Sequence, residues 1–167
     1  MSTTKLILGP IQNLHDARYA AAVGIDYLVF NTQGPHAHPI AEVIQMRDWL
    51  SGPQIIVRFG NEDEGQIREW MDQVRPAAII LPHGAPAPAG ACVSTADGSD
   101  LGVPCALAGD GSIADLREVR VLDTPQDLSR FGMQPTACWL GAFTLMADGL
   151  LDYEACDAFL EAQSLAT

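Results

Sequence analysis

Leu14-His-Asp-Ala-Arg-Tyr-Ala-Ala-Ala-Val-Gly-Ile-Asp-Tyr-Leu-Val-Phe30 holds a helix, its stop and a buried strand in one continuous run. Asn13 just before it is a good cap, because its side-chain oxygen accepts an orphan backbone N–H, and Asp16 puts negative charge in the first turn. Gly24 ends the helix predicted over 14–23, since glycine enters the left-handed conformation that closes a last turn without a steric cost. The strand predicted over 26–30 is apolar at every position after Asp26 rather than alternating. Such a run is buried on both faces, as in a parallel sheet covered by helices.

The same unit repeats outward from this stretch. A brief strand over 5–8 precedes it. Pro39 opens a helix whose Ile40, Val43, Ile44 and Leu50 share a face and which Gly52-Pro53 closes; a third strand follows over 55–59. Asn61 is the expected cap of a third helix with Glu62, Asp63 and Glu64 in its first turn, a stripe of Ile67, Trp70, Met71 and Val74, and an end at Arg75-Pro76. A fourth strand spans 78–81. Residues 82–111 turn to Ala, Gly, Pro and Ser with short apolar pieces at 91–93 and 103–108, which predicts an irregular surface excursion. Periodicity returns with a short helix capped by Ser112, a strand over 119–123, a helix after Thr124-Pro125 stopped by Gly132, a strand over 136–140, and a last helix from Asp152 burying Cys156, Phe159 and Leu160.

This is an α/β pattern with about seven strand candidates. A TIM-type (βα)8-like barrel fits it, but such barrels take roughly 200 residues or more, so at 167 residues the barrel must be shortened or incomplete. The runner-up, an open doubly wound sheet, lacks its Gly-rich phosphate turn: Gly9-Pro10-Ile11-Gln12-Asn13 has a single glycine. One domain over residues 1–167 is expected.

Composition narrows the function. The chain is 48% apolar and 18% charged, and nine basic against 21 acidic residues give a net charge of −12. Such a surface repels nucleic acid and anionic membranes, so neither is an expected partner. No apolar run approaches the roughly 20 residues of a membrane span, and the first residues lack a secretory leader, which predicts a cytoplasmic protein. Cys92, Cys105, Cys138 and Cys156 form no C-x-x-C pair and read as reduced, mostly buried thiols.

Ile11-Gln-Asn-Leu-His-Asp-Ala-Arg-Tyr-Ala-Ala-Ala-Val-Gly-Ile-Asp-Tyr-Leu-Val-Phe30 resembles the first βα unit of phosphoribosylanthranilate isomerase, approximately I-T-N-x-E-D-A-x-x-A-x-x-x-G-A-D-x-x-G-F. Arg58-Phe59-Gly60-Asn61 resembles the end of that family's third strand, Ile80-Leu81-Pro82-His83-Gly84 its Q-L-H-G, and Val121-Leu122-Asp123 its L-L-D on the sixth strand. The resemblance implies a (βα)8 barrel of tryptophan biosynthesis that converts an aminoaldose phosphate into an aminoketose. In that family a Cys ending the first strand, in K-x-C-G, removes a proton from carbon, and an Asp ending the sixth acts as acid. Asp123 matches the acid. The Cys position falls on Gly9, or on Leu8 if one residue is inserted, and neither can accept a proton. The family's S-P-R loop, whose Arg meets a carboxylate, appears as Gly34-Pro35-His36, and its Gly-rich phosphate loop is not recognisable.

Read without the family, a barrel's chemistry sits at the carboxyl ends of its strands, which nominates Asn31, Arg58, His83 and Asp123. Arg58 interrupts an apolar run and could clamp an anion or pair with a rim carboxylate. His83 could serve as a base or simply bond the loop backbone. Asp123 could be a general acid if burial raises its pKa, or cap the next helix. Asn31 could bind substrate, although its residue type also suits a turn. His36 adds a substrate contact; with His38 it could hold a metal, but no third ligand is near, so a solvated loop and no metal are expected. Trp49, Trp70 and Trp139 are expected to pack on helices and strands. The expected function is a diverged isomerase-like barrel without the family reaction, a module for a small anionic ligand needing no cofactor; the alternative is an active sugar-phosphate isomerase using Asp123 and a substitute base. An unclosed barrel would also favour a homodimer.

Overall fold

The computed structural model describes residues 4–82, 94–95, 106–107, 119–122, 124, 126, 137–141 and 144–165. The βα repeat runs β1 (Lys5–Leu8), α1 (Leu14–Ala22), β2 (Tyr27–Asn31), α2 (Ile40–Trp49), β3 (Gln54–Arg58), α3 (Glu64–Val74) and β4 (Ala78–Leu81). Two-residue strands β5 (Ser94–Thr95) and β6 (Ala106–Leu107) follow, then β7 (Val119–Leu122), β8 (Ala137–Leu140) and α4 (Tyr153–Leu165). Along the sheet the order is β5, β4, β3, β2, β1, β8, β7, every neighbouring pair parallel. β1 thus lies between β2 and β8, the wrap that begins a barrel. Among the described residues nothing joins β7 to β5, and the architecture is a shortened TIM-type α/β fold.

Side chains alternate across this sheet and so build two layers. Ile7, Tyr27, Val29, Ile56, Ala78, Ile80, Ala137 and Trp139 form the inner cluster. Their neighbours Leu8, Leu28, Phe30, Ile55, Val57, Ile79, Leu81 and Leu140 face the helices, meeting Ala17, Val43, Ile67, Trp70, Val74 and Phe159. Burial on both faces is why the strands lack alternation in the sequence.

Helix ends follow local chemistry. Asn13 caps α1 by accepting the Asp16 N–H at 2.9 Å. Asp26 stays outside β2, because its carboxylate accepts from the Leu6 N–H and the Lys5 ammonium, each at 2.9 Å. α3 is capped by Asp63 rather than Asn61: Asp63 accepts the Gln66 N–H, and the Gln66 side chain accepts the Asp63 N–H in return. Asp152 caps α4 through the Ala155 N–H at 3.0 Å, and α4 buries Cys156 and Phe159. Trp49 departs from expectation. It is 63% exposed at the end of α2, with the Arg18 guanidinium 5.2 Å over its ring, instead of packed inside. Within the stretch expected to be irregular, β5 pairs with the carboxyl half of β4 and β6 antiparallel with its amino half. The helices expected after Ser112 and Thr124 lie outside the described residues.

Candidate functional site

Alternation carries through to the strand ends. Asn31 continues the inner face of Tyr27 and Val29, and Arg58 that of Ile56; the two are register partners across β2 and β3. The Arg58 carbonyl is gripped by the Thr32 N–H at 3.0 Å and the Thr32 hydroxyl at 3.3 Å, which fixes the backbone beneath the side chain. Asn31, Gln33, Arg58, Phe59, Ile80 and Pro82 line a cavity of about 420 Å³ at the ends of β2, β3 and β4.

Two polar groups there are unspent. Asn31 is not the turn residue its type suggested but the last residue of β2, and its Oδ1 is shut off from solvent with no hydrogen-bond partner among the described residues. An acceptor left so costs about 1–3 kcal/mol. The exposed Arg58 guanidinium makes no ion pair or hydrogen bond among the described residues, whereas Lys5 holds Asp26, Arg47 holds Asp48 and the Val74 carbonyl, and Arg68 holds Glu64. The rim-pairing alternative for Arg58 is thus without a partner among those residues.

Neither residue on which the resemblance puts a thiol, Leu8 or Gly9, leaves room for one. Leu8 is 1% exposed and turned toward the helices, away from the barrel interior. Position 9 is on the inner face, but a β-carbon there would lie 2.6 Å from Val29 Cβ and 2.7 Å from the Val29 carbonyl oxygen. Trp139 fills the interior beside it and donates its indole N–H to the Gly9 carbonyl at 3.3 Å.

His36 does not join Asn31 and Arg58. Its Nε2 faces the loop after β8, 3.4 Å from where a β-carbon of Gly149 would stand, and Gln12 reaches the same loop by donating to the Gly149 carbonyl. The solvated loop expected around His36 and His38 is corrected at His38, which is 8% exposed. Its Nε2 donates to the Ile11 carbonyl at 2.9 Å, its Nδ1 meets the Glu42 carboxylate at 2.7 Å, and its ring stands edge-on to Phe30. With both nitrogens committed it is a structural clamp. Among the described residues no His/Cys/Asp/Glu cluster could hold a metal. His83, Asp123, Cys92 and Cys105 lie outside the described residues.

The sequence did not single out Gln33, and Gly60 entered it only as part of the Arg58–Asn61 stretch. Gln33 donates to the Asn61 side chain, and a β-carbon at Gly60 would collide with the Gln33 amide, so the glycine makes room for this wall. A second cavity of about 430 Å³ lies between α2 and α3, but Glu62 and Glu69 line it and disfavour an anion. The site at the strand ends has the opposite character: among the described residues it holds a cation without a partner and no carboxylate lines it.

The titratable groups buried elsewhere serve packing. Burial pushes the thiols of Cys138 and Cys156 up to about 12, which keeps both protonated and unreactive. Burial and a hydrogen bond to Asp16 hold the Tyr153 phenol up at about 12.

No protein-family model matches the sequence, and no curated protein resembles it at the sequence level. Solved structures do match by fold. The chain is similar to phosphoribosyl anthranilate isomerase from Thermus thermophilus at 17% identity and a TM-score of 0.67, over 99% of this chain and 100% of that one. It is similar to a phosphoribosyl anthranilate isomerase in complex with reduced 1-(o-carboxyphenylamino)-1-deoxyribulose 5-phosphate at 15% identity and a TM-score of 0.68, over 95% of this chain and 97% of that one. TrpF from Jonesia denitrificans matches at 11% identity and a TM-score of 0.64, over 96% of each chain. At such identities it is the fold alone that is shared, over nearly the whole length of each pair of chains.

Proposed function

We propose that this single-domain barrel binds a small anionic ligand at the carboxyl ends of β2, β3 and β4 and does not perform the isomerase reaction of its structural neighbours. The observation that carries this reading is the closed first strand. Leu8 faces the helices and Gly9 has no room for a side chain, so the place from which a thiolate would draw a proton off carbon holds nothing able to do so. The anion preference rests on Arg58, unpaired among the described residues beside a cavity large enough for a small metabolite. The overall charge of −12 opposes anions only weakly at short range, since screening reduces distant charges beyond about 8 Å at physiological salt.

A second reading is favoured by one observation, the end-to-end alignment with an isomerase solved with a bound phosphorylated, carboxylated sugar derivative. In it Asp123 acts as general acid and His83 as the substitute base. Both readings are separated by incubating the purified chain with phosphoribosylanthranilate and following product by chromatography, next to an active isomerase. The binding reading expects no turnover. Turnover that disappears in Asp123→Ala would establish the isomerase instead. Self-association of the chain belongs to either reading and is read directly by sedimentation.

A further inference from the structure

We infer that His38 is a proton-operated tie. With both ring nitrogens protonated it fastens the start of α2 to the loop after β1; loss of the Nδ1 proton lets go of Glu42 while the bond to the Ile11 carbonyl holds. The ring has an acceptor at each nitrogen. Nε2 lies 2.9 Å from the Ile11 carbonyl oxygen and Nδ1 lies 2.7 Å from the Glu42 carboxylate. A carbonyl and an ionised carboxylate can only accept, and a neutral imidazole has one N–H to give, so the two contacts together require the imidazolium. Histidine changes its charge between about pH 5 and 8, which makes the number of contacts a function of pH.

The surroundings decide which contact yields. The bond to the Ile11 carbonyl is buried, so that oxygen has no water to turn to, whereas Glu42 is half-exposed and has. The neutral ring therefore keeps its proton on Nε2. Around the ring, α2 contributes Glu42, and Glu62 and Glu69 line the cavity that His38 also lines, with no Lys or Arg among its lining residues. β2 presents the Phe30 ring and the loop after β1 the Ile11 carbonyl, while His36 faces the loop after β8. The positive end of α2 opposes the second proton, but with about half a charge against a full carboxylate in contact. Pro39, the N-cap of α2, makes no side-chain hydrogen bond, which leaves the His38–Glu42 contact to fasten the first turn. The loop that His38 ends walls both cavities, Gln33 and Gly34 at the strand ends and Thr32 and Ala37 between α2 and α3.

The test reads the ring protons by NMR and the folding equilibrium by urea, each at about pH 5.5 and about pH 8.5, on either side of the histidine range. Ring N–H protons held in hydrogen bonds and shielded from solvent exchange slowly enough to be seen. His38 shows two of them at the lower pH and one, on Nε2, at the higher. Glu42→Gln lowers the folding constant about three-fold at the lower pH. It causes no loss at the higher, where the new amide can donate to the bare Nδ1. The sign follows from linkage: the ion pair adds to folding while the ring carries both protons, and its contribution is lost as pH rises. One ring proton at both pH values, two at both, a remaining proton on Nδ1, or an equal loss in Glu42→Gln at both would overturn the tie. The ring protons are read in the unaltered chain, so the test stands even if the variant folds poorly.

Discussion

Gly9 and Val29 approach so closely across β1 and β2 that a β-carbon on residue 9 would stand 2.6 Å from the Val29 Cβ. A real Cβ is never found at that separation, and on the other side of it lies backbone rather than a flexible side chain. Placing a thiol at this position therefore pushes the strands apart. Gly9→Cys is expected to lose about 1–3 kcal/mol, read as a lower urea midpoint, and to gain no turnover of phosphoribosylanthranilate. Leu8→Cys avoids the collision but leaves a void against the helices, costing about 2 kcal/mol, also without activity. Turnover by either variant would contradict the closed-strand argument.

His38 ties the start of α2 to the loop after β1 through the Ile11 carbonyl. His38→Ala strands that carbonyl and is expected to cost about 1–3 kcal/mol in denaturant unfolding. Glu42→Gln changes a side chain that is 51% exposed and should cost under about 1 kcal/mol. Equal costs would place the clamp in the ion pair rather than in the carbonyl contact.

Arg58 holds no described partner, so removing it should leave the fold untouched. Arg58→Ala is expected to unfold within about 0.5 kcal/mol of the unaltered chain and yet lose binding of inorganic phosphate. In the unaltered chain that binding should weaken as salt is raised. A large stability loss would assign Arg58 a structural partner instead.

Alkaline conditions should destabilise the chain. Cys138 and Cys156 are pushed from the ordinary 9.0 up to about 12, and Tyr153 from 10.0 to about 12; Tyr19 is raised further by burial and by its bond to Asp157. As pH passes 9 toward 12 the unfolded chain releases these protons first while the folded chain keeps them. The unfolded state then binds fewer protons, and stability falls with rising pH. Urea midpoints measured from neutrality to about pH 10 check the sign, and the Cys138→Ala, Cys156→Ala double variant should show a shallower decline. A midpoint that rises over that range would refute the assignment.

The barrel-like layering was legible because it is written in local runs: apolar strands without alternation and helices with caps. Boundaries slipped where a side chain had a distant use. Asp26 reads as strand until its carboxylate is seen on Lys5 and Leu6, and Asn61 reads as a cap until Gln33 claims it. Arg58 and Asn31 were legible as polar residues ending apolar runs, yet their register pairing depends on how β2 meets β3. His38 was not legible at all, since its defining partner is a backbone carbonyl 27 positions away. Trp49, expected to pack on helices and strands, lies instead at the surface under a guanidinium, because its place at the end of α2 faces solvent.

The three tryptophans occupy three optically distinct settings. Trp49 is open to a collisional quencher such as acrylamide, which extinguishes its emission and leaves that of the two enclosed indoles. Trp70 stands edge-on, 6.1 Å away, to Phe59 in the cavity wall, and Trp139 is bonded to the Gly9 carbonyl. Their emission thus separates one exposed indole from two enclosed ones, a readout of the fold with no dye or label to attach.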